Sequence, residues 1–551
     1  MRLSGLLSMA LAPALLVGQD AVTIQVDATQ PVGAFKPIYS YFGYDEPNYT
    51  YGKYGPKLVG ELARLSSSKV YVRTHFMLCT GDGTPGFKWG STNAYTEDTS
   101  GKPVYNWTIA DRIFDTYLKA GAKPFVEIGF MPQALSTNPE PYKPTWIPGA
   151  RNDQYSIGWT YPPKDYGKWG ELVYQWVKHA AEKYGRTEVE SWYWEVWNEP
   201  DISYWHGTPE EYDKLYDYAA VAVKKALPTA KVGGPATTSP RNARAAEYLR
   251  QFLAHCAEKK TPLDFITYHA KGQPRVVGDH VQMGLGSELN DVSRGMEVIG
   301  QFQQYARLPV VLSEADPEGC AACSARVYPN NAYRNGALYA VYTAAAVNNI
   351  FTLADRLKGN MEGMLTWAFE FEGQPYFDGF RTLATNGIDK PVLNVFRMYG
   401  LMKGGRVKVQ SSGAVPVETI MKSGVRDKAD IDALATRADH EIAAMVWNYH
   451  DDDLPSAPGA SVELSIAGVP ATAGRVLLQH YRIDQEHSNA YTVWKSMGSP
   501  QSPTAEQYAQ LESAGQLQML TSPEWMVPRD GKVVTAFNLP RQGVSLVQVS
   551  W

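Results

Sequence analysis

Short apolar runs alternate with longer amphipathic segments between about residues 36 and 405. The amphipathic segments repeat their apolar residues at helical spacing, most clearly over 166–184, 209–226 and 244–259. Strands that alternate with helices form a parallel sheet, and eight such units predict a (β/α)8 TIM barrel with long loops. The eight apolar runs are 38–44, 70–77, 124–131, 191–197, 231–236, 264–269, 309–314 and 363–371.

The pattern changes after about residue 405, where apolar and polar residues alternate over short segments separated by turn signals. This alternation is typical of an all-β sandwich. We therefore predict a catalytic barrel over 36–405, a sandwich over 406–551, and an N-terminal strand within 21–35 that joins the sandwich. The predicted sandwich strands are 441–448, 461–466, 475–481, 532–538 and 544–549.

The N-terminus carries Arg2 followed by an apolar stretch with small residues among the large ones. The stretch has the length of a signal peptide and is too short to cross a membrane. No other stretch of the sequence is apolar enough for a membrane span. We expect residues 1–20 to be a signal peptide and the protein to be secreted or periplasmic.

Composition narrows the class of protein further. The chain is 44% hydrophobic and 20% charged, with a formal net charge of -5, which is globular and gives no reason to expect a nucleic-acid partner. Its cysteines are Cys79, Cys256, Cys320 and Cys323. The last two form a CxxC pair without a second pair or a histidine cluster, which favours a local disulfide or free thiols over a metal site.

Candidate chemistry lies where the predicted strands end, because barrel enzymes place their active sites at the carboxyl ends of the strands. The fourth run leads into Asn198-Glu199-Pro200, and the seventh ends on Glu314. Two carboxyl groups on opposed sides of a barrel mouth are what glycoside hydrolysis requires. One protonates the leaving oxygen, and the other attacks the anomeric carbon or activates water. The sequence leaves retention and inversion both open.

Other side chains at strand ends are candidates for binding substrate. They are His75, His269, Lys271 and Trp367. His269 would orient the nucleophile or bind a hydroxyl group, whereas Lys271 is equally compatible with a surface position. We expect no cofactor, because two carboxyls supply both the proton transfer and the nucleophile. A catalytically silent carbohydrate-binding barrel is the non-enzyme alternative, and the presence of both glutamates argues against it.

Several segments along the chain resemble glycoside hydrolase family 39, which holds β-xylosidases and α-L-iduronidases. The resemblance implies that Glu199 is the acid/base and Glu314 the nucleophile of a retaining enzyme. It also implies that Asn198 binds the hydroxyl beside the anomeric carbon, and that His75, His269 and Trp367 line the glycone pocket. The segments are GYDEPNY (43–49), VEIGFMP (126–132), WEVWNEPD (194–201), YHAKG (268–272), LSEADP (312–317) and RIDQEHSNAYTVW (482–494).

The resemblance also bears on the substrate. In iduronidases a lysine at the position of Lys271 and an arginine like Arg381 bind the sugar carboxylate. However, Thr366-Trp367 stand where iduronidases carry an aspartate. We therefore expect a β-D-xylosidase that releases terminal xylose from xylo-oligosaccharides, with an α-L-iduronidase-like or other uronide or arabinoside glycosidase as the alternative.

A last expectation concerns the segment 482–494. In family members a similar excursion from the sandwich reaches back toward the barrel mouth. The resemblance therefore implies that His487 or Asn489 contacts the site, although a position in a surface loop is equally compatible with the sequence.

Overall fold

A computed structural model describes residues 21–65, 67–143, 146, 157–454 and 458–551, so the predicted signal peptide lies outside the described residues. Eight parallel strands, β1 to β8 in chain order, close into a barrel in which each strand pairs with the next and β8 pairs with β1. The (β/α)8 prediction is confirmed. The strands are β1 (Tyr41–Tyr44), β2 (Tyr71–Thr74), β3 (Lys123–Ile128), β4 (Tyr193–Val196), β5 (Lys231–Thr237), β6 (Phe265–Lys271), β7 (Val310–Asp316) and β8 (Met361–Trp367).

Amphipathic helices surround this barrel. The helix that precedes β5 shows how the sequence sets the bounds of one of them: Thr208 caps its first turn in a capping box with Glu211, and Pro209 opens it. The helices of this region are Gly55–Ala63, Thr108–Ala120, Tyr166–Tyr184, Arg186–Val189, Pro209–Ala226, Ala243–Lys259, Leu285–Gly300, Ala337–Leu357 and Pro391–Leu401.

Contrary to the expectation that no further stretch is apolar enough for a membrane span, Ala337–Leu357 alone among the described residues has the length and composition of a membrane-crossing helix. However, 89% of its most apolar window is buried within the protein. The helix packs between β8 and the strand Glu441–Tyr449. Its apolar character is that of a core helix with neighbours on most sides.

Aromatic side chains fill the amino-terminal end of the barrel. Tyr41 stacks on Tyr71 with ring centroids 5.0 Å apart, and Phe125 stacks on Tyr193 at 5.1 Å. Tyr193 also meets the edge of Phe265 at 5.0 Å. This plug leaves the carboxyl ends of the strands as the open side, where barrel enzymes carry their chemistry.

The all-β region is one ten-stranded sheet that the N-terminal strand Val22–Ala34 joins. That strand runs antiparallel to Gly405–Ser411 and parallel to Ala460–Ala467. Side chains from widely separated strands of this sheet, such as Ile442 and Ile466, pack into one hydrophobic core. The other strands are Asp430–Ala438, Glu441–Tyr449, Val476–Ile483, Gln518–Met519, Glu524–Met526, Lys532–Leu539 and Val544–Ser550.

The opposite face of the sheet packs on the barrel. Trp447 and Leu546 belong to the barrel's hydrophobic core, although both lie on sheet strands. Two helices, Ala490–Ser496 and Ala505–Ala514, leave the sheet and cover the loop after β8, where Trp494 lies 5.1 Å from Phe377 between ring centroids. The segment 482–494 thus contacts the loop that follows β8 through Trp494.

Candidate active site

Arg73 of β2 is buried between the aromatic side chains at the amino-terminal end of the barrel and the barrel mouth. Residues two apart on a strand face the same side, so Tyr71, Arg73 and His75 follow one another toward the barrel mouth. Arg73 Nε donates to Glu195 Oε2 at 2.5 Å, and its Nη2 lies 2.9 Å from Glu127 Oε2. Burial lowers the pKa of Arg73, but the three surrounding carboxylates, led by Glu195, raise it overall. The guanidinium is therefore a permanent charge below the site.

The same guanidinium positions two of the candidate residues. Arg73 Nη2 donates to Asn198 Oδ1 at 2.9 Å, and Nη1 lies 3.4 Å from Glu314 Oε1. With its oxygen engaged in this way, the Asn198 amide is oriented so that its NH2 group remains available as a donor.

The turn after β4 holds the first glutamate in an uncommon backbone conformation. Trp197 and Glu199 have φ angles of 70° and 45°, which are rare for residues other than glycine. Neighbouring strands fix both residues, since Trp197 N–H donates to Ile128 O at 3.2 Å and Glu199 N–H donates to Ala236 O at 2.9 Å. Such over-determined strain is common at functional sites. Here it aims the Glu199 carboxyl over the mouth.

An irregularity in β7 places the second glutamate. The pairing of β7 with β6 skips one residue, so that Leu312 lies opposite Tyr268 and Glu314 lies opposite His269. An extra residue of this kind re-aims the side chains that follow it. The register also sets Asp316 opposite Lys271, which explains the contacts described below.

The two glutamates and His269 meet above the barrel. One oxygen of Glu199, one oxygen of Glu314 and a ring nitrogen of His269 all lie within 4.8 Å of one another. His269 Nδ1 is 2.9 Å from Glu199 Oε1 and 3.9 Å from Glu314 Oε2. The His269 ring is fully buried, and its Nε2 has no partner among the described residues. A buried polar atom without a protein partner calls for an explanation, and a hydrogen bond to a polar ligand is one.

Positive charge surrounds Glu314. Lys271 Nζ lies 2.8 Å from its Oε2, and Arg73 Nη1 lies 3.4 Å from its Oε1. Burial raises the pKa of Glu314, but the nearby Lys271, His269 and Arg73 hold it well below the ordinary value. The carboxylate is therefore ionised at neutral pH, as a nucleophile must be.

The opposite wall of the site contains His75 and Trp367, with ring centroids 4.3 Å apart. His75 Nδ1 lies 2.6 Å from Glu127 Oε2. Burial, reinforced by the charge of Arg73, lowers the pKa of His75 well below its usual value, so the ring is neutral. Its Nε2 lies 3.7 Å from Asp45 Oδ1, which has no hydrogen-bond partner among the described residues. A hydroxyl group between these two atoms could bond to both.

Acidic side chains of the protein itself engage the two candidate carboxylate-binding cations. Lys271 Nζ lies 2.6 Å from Asp316 Oδ2 in addition to its contact with Glu314. Arg381 is fully buried, with Nη1 2.8 Å from Glu318 Oε1 and Nη2 3.4 Å from Asp316 Oδ2. Arg381 Nε donates to Trp367 O at 3.0 Å. Arg381 therefore lies against the backbone of Trp367, and Glu318 and Asp316 hold its guanidinium group.

The cluster of Glu199, His269 and Glu314 has a spacing that could also hold a metal ion. A dication there would lie close to the ammonium group of Lys271, which is 2.8 Å from Glu314. Repulsion between like charges at such distances opposes metal binding. The residues of this site therefore fit an uncharged polar ligand better than a metal.

His487 and Asn489, the two candidates from the segment 482–494, are both bound to Asp484. His487 Nδ1 lies 3.0 Å from Asp484 Oδ1, and Asn489 Nδ2 donates to Asp484 O at 2.8 Å. Asn489 also caps the helix Ala490–Ser496 by accepting a hydrogen bond from Thr492 N–H. These contacts give both residues a structural role at the start of the excursion.

Sequence reasoning did not select several residues that hold the site together: Arg73, Glu127, Glu195, Asp316, Glu318 and Asp45. A usable signal was present for the first three, because each is a charged residue within an apolar run predicted to be buried. Charged residues are almost never fully buried unless they are paired. Three such positions in neighbouring strands indicate a buried ionic cluster.

The sequence profile described as glycosyl hydrolases family 39 matches residues 23–532. The β-xylosidase of Geobacillus stearothermophilus is 28% identical over 464 residues, which cover 81% of this chain and 81% of the relative. The α-L-iduronidase of Mus musculus is 26% identical over 426 residues, which cover 69% of this chain and 62% of the relative.

The fold has a solved counterpart of similar extent. The crystal structure of the GH39 enzyme from Xanthomonas axonopodis pv. citri matches with a TM-score of 0.77 at 23% identity, covering 98% of this chain and 100% of the other. This likeness extends over both the barrel and the sheet.

Proposed function

Because this chain belongs to glycoside hydrolase family 39 and is a glycosidase, we propose that it is a retaining β-D-xylosidase that releases terminal xylose from xylo-oligosaccharides. The observation that carries the retaining mechanism is the approach of a Glu199 oxygen to a Glu314 oxygen within 4.8 Å. Retaining enzymes have their carboxyls about 5 Å apart, whereas inverting enzymes need about 6.5–9.5 Å to admit a water molecule.

The proposed reaction has two displacements. The Glu314 carboxylate attacks the anomeric carbon while Glu199 gives its proton to the departing oxygen, which leaves a glycosyl ester on Glu314. Glu199, now ionised, takes a proton from water as that water attacks the anomeric carbon and breaks the ester bond. The fixed charge of Lys271 stabilises Glu314 whenever it is ionised. Asn198, His75 and His269 are placed to bind the hydroxyl groups of the sugar.

The proposed preference for xylose over a uronic acid rests on the partners of Lys271 and Arg381. A sugar carboxylate would have to compete with Asp316, which lies 2.6 Å from Lys271, and with Glu318, which lies 2.8 Å from Arg381. Buried ion pairs with good geometry are costly to break. The β-xylosidase relative, matched over four fifths of both chains, supports the same preference.

A uronide glycosidase remains the second candidate, because the chain is also similar to an α-L-iduronidase and carries two cations close to the site. Aryl β-D-xyloside, α-L-iduronide, α-L-arabinoside and β-D-glucuronide distinguish the two. We expect the xyloside to be cleaved fastest. Faster cleavage of either uronide would contradict the xylosidase proposal and assign Lys271 to carboxylate binding.

Retention has its own test. The anomer released first from the aryl xyloside, followed by proton NMR, should be the β form, and a 2-deoxy-2-fluoro xyloside should label Glu314 covalently. Release of the α anomer from this β-xyloside would contradict the double displacement.

We further propose that the protein acts outside the cytoplasm. The apolar stretch of residues 1–20 and the disulfide Cys320–Cys323 support export, since structural disulfides persist mainly in oxidising compartments. Cell fractionation with N-terminal sequencing of the mature protein tests this. An intact N-terminus in the cytoplasmic fraction would contradict it.

A further inference from the structure

The CxxC pair belongs to the loop that connects β7 with the helix Ala337–Leu357. Cys320 and Cys323 form a disulfide, and both are half-buried. Cys79 and Cys256 are fully buried free thiols. A reductant in solution can therefore reach the disulfide while the other two cysteines stay protected.

The backbone of the disulfide turn is bound by a single buried guanidinium. Arg334 Nη2 donates to Cys320 O at 2.8 Å, and its Nη1 donates to Cys323 O at 3.0 Å. The bridge between the two side chains keeps these carbonyl groups pointed at the same place. Arg334 is 1% exposed, so water cannot replace acceptors that move away.

Arg334 is connected to the glycosidase site through one carboxylate. Its Nη2 lies 2.7 Å from Glu318 Oε1, the same oxygen that lies 2.8 Å from Arg381 Nη1. Glu318 is thus held between two buried arginines. A shift of either arginine would move the carboxylate and, with it, the other arginine.

Arg381 carries the connection to the nucleophile. It donates from Nε to Trp367 O at 3.0 Å and lies 3.4 Å from Asp316, which lies 2.6 Å from Lys271. Lys271 in turn lies 2.8 Å from Glu314. The backbone adds a direct link, since Arg381 N–H donates to Ala321 O inside the disulfide turn at 3.0 Å.

We propose that the Cys320–Cys323 disulfide is a redox-sensitive positioning element of the glycosidase site, acting through Arg334, Glu318 and Arg381 on Trp367 and Lys271. This rests on the proposed roles of Glu314 and the glycone pocket. A small dithiol reverses the constraint: its two thiols give two electrons and two protons to the protein disulfide, which becomes two cysteine thiols, and the reagent becomes a cyclic disulfide.

The position of the bridge argues for local positioning over global stabilisation. The entropy that a disulfide removes from the unfolded chain grows with the length of the loop it closes, and this bridge joins residues only three apart. Its main consequence is therefore the shape of the turn that supports Arg334 and Arg381.

The first test compares the oxidised protein with protein treated with dithiothreitol under native conditions. Iodoacetamide labelling should mark Cys320 and Cys323 and leave Cys79 and Cys256 unmarked. We expect kcat/KM to fall about tenfold, because small displacements of positioning groups cost rate steeply. The acid limb of its pH profile should move to higher pH as Lys271 loosens its hold on Glu314. Reoxidation before labelling should restore both.

The double variant Cys320→Ser/Cys323→Ser is the matched control. It should have the rate of the reduced protein, keep a melting temperature close to that of the oxidised protein, and not respond to dithiothreitol. Complete labelling of Cys320 and Cys323 with an unchanged rate and pH profile would overturn the proposal. Loss of activity that only follows a fall in melting temperature would also overturn it.

The hydrolysis rates of the reduced and the oxidised protein are compared on whichever aryl glycoside the protein cleaves best. An error in the proposed sugar preference therefore leaves this test intact, and a failed test leaves the preference untouched. If the double variant does not fold, the reversible treatment of the unaltered chain decides alone.

Discussion

The two glutamates at the barrel mouth have opposite surroundings. Glu314 is 7% exposed and lies within 4 Å of Lys271 and Arg73, both permanently charged. Glu199 is 17% exposed, and its nearest ionisable partner is His269, whose ring nitrogen lies 2.9 Å away. One carboxyl is held by fixed positive charge, and the other contacts the ring of a fully buried histidine.

This difference matches the different duties proposed for the two groups. A nucleophile must be ionised before each reaction, which neighbouring cations guarantee. An acid/base gains and loses a proton within every turnover, and a fixed cation beside it would prevent the protonated form. The surroundings therefore support the proposed roles independently of the order of the residues in the chain.

We expect the largest effect from replacing Glu314, the glutamate beside the permanently charged Lys271 and Arg73. Glu314→Gln should lower kcat by about 10⁴-fold or more on every aryl glycoside, because no other group can form the glycosyl ester. Steady-state kinetics measures this, and circular dichroism should show an unchanged fold. Retention of even a few per cent of the activity would exclude Glu314 as the nucleophile.

A smaller loss that depends on the leaving group should follow from Glu199→Gln. General acid catalysis contributes about 10²–10⁴-fold, and only where the departing oxygen needs a proton. Glycosides of acidic phenols should therefore be affected least in the first step, and added azide should speed turnover by replacing water. An equal loss across a series of phenols would remove Glu199 from the role of proton donor.

Lys271→Gln should change the pH profile together with the rate. Burial raises the pKa of Glu314, and Lys271 is the largest of the groups that lower it. The ionised form is the active one, so activity is lost as pH falls through this pKa. Without Lys271 the pKa rises, and the acid limb of kcat/KM moves to higher pH. Lys271→Arg keeps the charge and should keep the limb; an unmoved limb in the Gln variant would contradict this account.

The smallest effect is expected for a residue that lies outside the surroundings of Glu314 and Glu199. His487 contacts Asp484, and that pair stands at the start of the excursion from the sheet. His487→Ala should therefore leave kcat/KM for the aryl xyloside within about twofold, as is usual for exchanges away from a site. A selective rise in KM would show that the excursion contributes to the pocket.

Elements with a clear periodic or continuous apolar pattern could be predicted from the sequence, and strands with a short or irregular pattern could not. The helices Tyr166–Tyr184 and Pro209–Ala226 have the bounds that their amphipathic pattern predicts. The strand Asp430–Ala438 was not predicted, because Asp432, Thr436 and Arg437 divide its apolar residues at irregular spacing. Gly405–Ser411 was not predicted because its alternation is short, with only Val407 and Val409 between polar residues.

The candidate site divides in the same way. Glu199 and Glu314 could be selected because each lies at or just after the end of an apolar run, which is a property of the local sequence. Asp316 and Glu318 gain their importance only from Lys271 and Arg381, and those contacts join residues that are 45 and 63 positions apart. No local pattern contains such information.

The sequence by itself determined the order of eight strands and helices, and with it the arrival of Glu199 and Glu314 at one edge of the barrel. The tertiary structure alone decided how close the two carboxyls come and which cations hold Glu314. It also decided that Asp316 and Glu318 form ion pairs with Lys271 and Arg381. The physical reason is that hydrophobic periodicity acts over a few residues, whereas the pairing of buried charges depends on how the closed barrel sets the register between strands.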